Sequence, residues 1–116
     1  MSNITIYHNP RCSKSRASLA LLEENGVTPQ IVLYQETPLD SAMINELLAK
    51  LDMKAIDLVR RGEADFKEAG LTRDSSEQQL VDAMVAHPKL IERPIVVKGD
   101  RAVLGRPPEN VLELIA

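Results

Sequence analysis

The sequence holds one cysteine, no tryptophan, two tyrosines and one phenylalanine among its 116 residues. A single cysteine cannot close a disulfide within the chain, which excludes a disulfide framework and fits a reducing compartment. So few aromatic rings leave little with which to stack bases. The net charge is −3, so the surface as a whole lacks the basic footprint of a nucleic-acid binder. No run approaches the ~20 apolar residues of a membrane span. Asn3, Tyr7, His8 and Asn9 also break any apolar run at the N-terminus that a signal peptide would need. His8, Cys12 and His87 do not fall at zinc-ligand spacings, and neither a Walker A motif nor a G-x-G-x-x-G segment occurs. These absences predict a soluble, cytoplasmic, single-domain chain with no nucleic-acid or membrane partner, no metal and no bound cofactor. Its length suffices to bury a core without a staple.

What is present is an alternation of strand and helix patterns. Residues 3–7 (NITIY) alternate and are β-branched, which predicts a strand. His8-Asn9-Pro10 reads as a loop. A helix follows over residues 13–25, with Leu19 and Leu22 on one face and Gly26 as its stop. Residues 30–34 (QIVLY) predict a second strand, parallel to the first because a helix connects them. Asp40 is a candidate N-cap for a helix whose Met43, Ile44, Leu47, Leu48 and Leu51 form an apolar stripe. Short helical pieces are expected over 55–60 and 63–69, the second ended by Gly70. Ser75 or Ser76, with Gln78 or Gln79 three positions on, offers a capping box. The helix after it carries Leu80, Val81, Met84 and Val85 inward. Residues 94–98 and 101–105 predict two strands joined by a type II′ turn at Gly99-Asp100. Pro108 and Glu109 then open a closing helix that buries Val111, Leu112 and Ile115. The expected fold class is α/β, with a mixed four-stranded sheet in the order βαβ, helical insertion, ββα.

Cys12 falls between the first strand and the first helix, beyond the carboxyl end of a strand, where α/β sheets bind ligands. The free N–H groups and dipole of a helix N-terminus favour an anion there. Arg11, Lys14 and Arg16 add positive charge within four positions. Together these should lower the thiol pKa and make Cys12 a nucleophile at neutral pH. A lone cysteine is often a small buried hydrophobe, yet no residue at positions 8–14 is large and apolar. His8 has two readings, as a donor or cation beside the thiolate or as a residue that orders the turn. Ser15 makes a C-x-x-S segment with Cys12, and its hydroxyl either bonds the sulfur or caps the first helical turn.

Three segments, ITIYHNPRCSKSR from Ile4, RPIVV from Arg93 and GRPPENVL from Gly105, together resemble the glutaredoxin-dependent arsenate reductase family over essentially the whole chain. The resemblance implies a thioredoxin-like fold in which Cys12 attacks arsenate. It further implies that Arg60, Arg93 and Arg106 bind the oxyanion, and that Arg93-Pro94 is a cis peptide facing the cysteine. Arg61 adjoins Arg60 and competes with it for the inward position. Guanidinium groups suit the task because their fork of donors can hold two oxygens of a tetrahedral anion. Each arginine can equally be a surface charge or a partner for Glu63, Glu92 or Glu109. The implied chemistry uses arsenate as substrate, glutathione as co-substrate and glutaredoxin as partner, in arsenic detoxification. Arg11 and Lys14 beside the cysteine depart from the small uncharged residues of better-known members. Two other functions compete. A redox-sensing transcriptional regulator of the Spx type typically carries C-x-x-C, where this chain has Ser15, and lacks the arginine at Arg106. A general monothiol glutathione-dependent oxidoreductase would share the strand–C-x-x-S–helix start but has no use for three arginines.

Overall fold

A computed structural model describes residues 3–115. The chain divides into two compact units, Met1–Thr37 with Arg93–Ala116, and Pro38–Glu92.

The first unit is built on a four-stranded sheet. Its strands are β1 (Ile4–Tyr7), β2 (Gln30–Val32), β3 (Ile95–Lys98) and β4 (Arg101–Leu104), in spatial order β2-β1-β3-β4. The β1–β2 pair is parallel, and β1–β3 and β3–β4 are antiparallel, with Ile6 opposite Val96. This mixed sheet is the expected thioredoxin-like α/β arrangement. Helix α1 (Ser13–Glu24) supplies the crossover between the parallel strands. It ends in a Schellman motif: Gly26 takes φ 79°, and the Val27 N–H bonds the Leu22 carbonyl at 2.9 Å. Leu22, Ile4, Ile6, Val96, Val111 and Leu114 form the buried core of this unit, with Leu19 and Leu21 half-buried against it.

The central strand β3 is buried at Ile95, Val96 and Val97. Gly99 has φ 63° while Asp100 is not among the residues with positive φ, which is the signature of the expected type II′ turn. Strand β2 is shorter than predicted. Glu36 and Thr37 N–H groups bond the Leu33 carbonyl, so the chain turns at Leu33 and takes Tyr34 out of the ladder. The closing helix also differs. Its first turn, Pro108–Val111, is a 3-10 turn that runs into an α-helical turn at Leu112–Ile115. The tighter winding brings residues three apart onto one face. Val111 and Leu114 are therefore buried, while Leu112 and Ile115 are half-buried.

The second unit is helical: α2 (Ser41–Leu51), α3 (Ala55–Leu58), α4 (Ala64–Glu68) and α5 (Glu77–Ala86). The predicted caps form. Asp40 accepts the Met43 N–H at 2.8 Å, and Ser76 and Gln79 make a reciprocal capping box at 3.1 and 2.8 Å. From α5, Glu77 also accepts the Ala55 N–H at 2.9 Å and so caps α3. The α2 stripe buries Ile44, Leu47, Leu48 and Leu51 and leaves Met43 exposed. No helix among the described residues is long and apolar enough to cross a membrane.

Candidate active site at the β1–α1 corner

The corner between β1 and α1 is organised by polar groups that are themselves buried. The His8 N–H bonds the Val32 carbonyl at 2.9 Å and carries the β1–β2 pairing one residue beyond β1. Asn9 then forms the turn: its carbonyl accepts the Cys12 N–H at 3.0 Å and its side-chain oxygen accepts the Arg11 N–H at 3.0 Å. Ser15, fully buried on the inner face of α1, reaches back to this turn. Its hydroxyl accepts the Asn9 N–H at 3.0 Å and lies 2.7 Å from His8 Nδ1. Arg16 reaches over the same turn and donates to the Pro10 carbonyl at 2.9 Å. The small side chain of Ser18 lets Gly105 approach α1 closely. A Cβ at Gly105 would run into Ser18 Oγ and come within 2.7 Å of Pro94 Cγ.

Cys12 is thereby held in extended backbone geometry at the N-cap of α1. An N-cap side chain ordinarily lies beside the N–H groups two and three residues on. Those residues are Lys14 and Ser15. Partial burial pushes the Cys12 thiol up. The Ser15 N–H, the Arg93 guanidinium and the Lys14 N–H each favour the thiolate, and the net result lies below the ordinary thiol value. The helix N–H groups thus act as expected, and the adjacent cations do not. The side chains of Arg11, Lys14 and Arg16 are exposed, and none of their charges figures among the causes of the shift.

Arg93 arrives from the other end of the chain, one residue ahead of Pro94 and the start of β3. The Arg93-Pro94 peptide is cis, as the resemblance implied, and Arg106-Pro107 is cis as well. Burial opposes the charge on Arg93. Hydrogen bonding to Cys12, together with the electrostatic influence of Tyr34, outweighs that penalty. Tyr34 is only 1% exposed. Arg106 stands behind this pair and donates from a terminal guanidinium nitrogen to the Arg93 carbonyl at 3.3 Å. The Gly105 N–H bonds the Pro94 carbonyl at 2.9 Å, and Asn110 donates to the Leu104 and Arg106 carbonyls at 3.1 and 3.2 Å. The segments bearing Arg93 and Arg106 are thus tied together.

For His8 the turn-ordering reading holds, and Ser15 takes a role outside both of its readings. Burial and the charge of Arg16 hold His8 below its ordinary value, so it is neutral at pH 7 and is no cation beside the thiolate. The Ser15 hydroxyl bonds neither the sulfur nor its own helical turn. It locks His8 and Asn9 instead, so both residues order the corner. Arg60 belongs to the second unit, where its guanidinium lies 3.1 Å from Glu63 and 3.6 Å from Glu92, and Arg61 is exposed. Arg60 is therefore the inward residue of the two and is already matched by carboxylates. Among the described residues, no group of three His, Cys, Asp or Glu side chains is placed to hold a metal ion.

Sequence reasoning missed Asn9 and Tyr34. The Asn-Pro pair did carry a turn signal. Tyr34, inside an apolar run, signals only that a buried phenol needs a polar neighbour.

The model of the ArsC family matches residues 7–114. The chain is 55% identical to the uncharacterized protein YfgD of Escherichia coli, over 97% of this chain and 96% of that one. It is 41% identical to an arsenate reductase of Escherichia coli, over 99% of this chain and 82% of that one. An arsenate reductase structure from Vibrio cholerae superposes with a TM-score of 0.93 at 46% identity, covering 97% of both chains.

Proposed function

The chain belongs to the ArsC family, and from that premise we propose that it reduces arsenate to arsenite, with Cys12 as nucleophile and glutathione and glutaredoxin as the source of electrons. The observation that carries this reading is the sulfur at the α1 N-terminus facing the N–H groups of Lys14 and Ser15 and the guanidinium of Arg93. Groups that hold a thiolate can hold the oxygens of a tetrahedral anion beside it. Relatives named arsenate reductase, at 41–46% identity over nearly the whole chain, support the choice of anion.

The Cys12 thiolate attacks As(V). A sulfur–arsenic bond forms, and one arsenate oxygen leaves as water after protonation. Arg93 offsets the charge that shifts onto the remaining oxygens, and Arg106 supports it. Arg60 enters the proposal on the family resemblance alone. Glutathione thiolate then attacks the Cys12 sulfur. A disulfide forms, the sulfur–arsenic bond breaks, and its electron pair stays on arsenic, which leaves as arsenite. The chain has one cysteine, so no internal thiol can resolve the mixed disulfide. A glutaredoxin thiolate attacks the glutathione sulfur and returns Cys12 as thiolate.

Arsenate-dependent NADPH oxidation in the presence of glutathione, glutathione reductase and glutaredoxin tests this on wild type and Cys12→Ser. Turnover is expected in the first and none in the second. Absence of turnover in wild type, with RNA polymerase recovered alongside the protein, would favour the regulator instead.

A further inference from the structure

Arg11 is left unused by the chemistry at Cys12. Its backbone N–H bonds Asn9, while its exposed guanidinium has no ion-pair partner among the described residues. It forms one wall of a pocket of about 390 Å³ in the first unit, shared with His8, Leu33, Gln35 and Glu36. Glu36 is likewise exposed and without an ion pair among the described residues. Two opposite charges thus line one pocket without neutralising each other, directly beside the residues that lead into Cys12. The volume falls within the range of roughly 300–1,000 Å³ typical of small-molecule sites.

We propose that this pocket is the docking site of the reducing thiol: glutathione binds there with a carboxylate on Arg11 and its ammonium group on Glu36. The inference rests on glutathione being the reductant, as proposed above. The tripeptide carries two carboxylates and one ammonium at neutral pH, so it complements both walls at once. A neutral small thiol complements neither. Leu33 offers an apolar surface to the aliphatic body, and Gln35 can pair with a peptide group. Asn9, Pro10 and Arg11, which line the pocket, lead in the chain directly to Cys12. The pocket positions the attacking sulfur and adds no bond change to those given above.

S-methylglutathione cannot react and serves as the probe. Titrated into the wild-type protein and followed by NMR, it should give saturable shifts centred on His8, Arg11, Leu33, Gln35 and Glu36. Arg11→Ala and Glu36→Gln should each weaken binding about three- to tenfold, as expected for charge-assisted contacts at an exposed rim, and raise the KM for glutathione more than they lower kcat. No saturable shift, shifts centred elsewhere, or unchanged affinity in both variants overturns the assignment. Binding needs no arsenate, so the two readings fail separately. Binding here without arsenate turnover removes the reductase reading and keeps the pocket. Glutathione-dependent turnover without binding here removes the pocket and keeps the reductase.

Discussion

Two arginine-bearing regions of this chain use their charge in opposite ways. Around Arg60, the guanidinium is drawn inward and met by Glu63 and Glu92, so its charge is matched within its own unit. At the β1–α1 corner, Arg93 is drawn inward and faces Cys12 and Tyr34, neither of which cancels it while the thiol is protonated. Three further basic residues at that corner, Arg11, Lys14 and Arg16, lie in the open. The difference teaches that charge counted along the sequence says little about which anion is stabilised. Orientation and competing partners decide it, and at Cys12 two backbone N–H groups and one distant arginine outweigh three adjacent cations.

The sharpest break in that comparison is Arg93→Ala. Loss of this donor should lower kcat/KM for arsenate about 10²- to 10³-fold, the usual cost of removing one oxyanion donor. A loss smaller than tenfold would place Arg93 with the matched arginines. Next in size is a pair of variants at one position. Lys14→Ala removes a side-chain charge and keeps the N–H, whereas Lys14→Pro removes the N–H at a helical turn that tolerates proline. Iodoacetamide alkylation at neutral pH should slow about tenfold in Lys14→Pro, in line with one lost charge-assisted hydrogen bond, and hardly change in Lys14→Ala. The reverse ranking would restore the lysine side chain as the agent.

Ser15→Ala bears on the same corner through stability. It leaves His8 Nδ1 and the Asn9 N–H buried without their partner, at a cost of about 1–3 kcal/mol in urea denaturation. The pH dependence sharpens this. His8 is held below its ordinary 6.5, so the unfolded chain binds a proton more readily than the native one. Stability from neutral His8 is complete above that value and is lost as pH falls through the lowered native one. Wild type should therefore lose stability between pH 7 and 5, and His8→Gln should lose less over the same interval. The smallest effect is assigned to Arg60→Ala. With Glu63 and Glu92 already holding its charge, kcat/KM should fall about tenfold or less, since an ion-paired guanidinium keeps little field for a further anion. A deficit equal to that of Arg93→Ala would erase the distinction between the two regions.

Most of the fold was legible from residue patterns. The strand alternation at Ile4–Tyr7, the Asp40 and Ser76 caps, the stops at Gly26 and Gly70 and the Gly99-Asp100 turn all act locally, and each forms. The misreadings in the fold arose at turns whose winding the residue pattern does not fix. β2 stops early because Leu33 accepts two turn hydrogen bonds. The closing helix buries Leu114 because its first turn winds as a 3-10 turn. At the site, Cys12 was legible from its position alone. The helix N–H groups behind its acidity were legible too, whereas the part of Arg93 came only through the family resemblance, because Arg93 meets Cys12 only in the folded chain. Ser15 was misread for the same reason, since its partners His8 and Asn9 come back to it through the turn.

The most direct measurement is the pH dependence of Cys12 alkylation in the wild-type protein and in Arg93→Ala. A midpoint below the ordinary thiol value of about 8.5, moving upward in the variant, is the predicted result. A wild-type midpoint at or above that value, unmoved by loss of Arg93, would contradict the claim that this corner holds the sulfur as an anion.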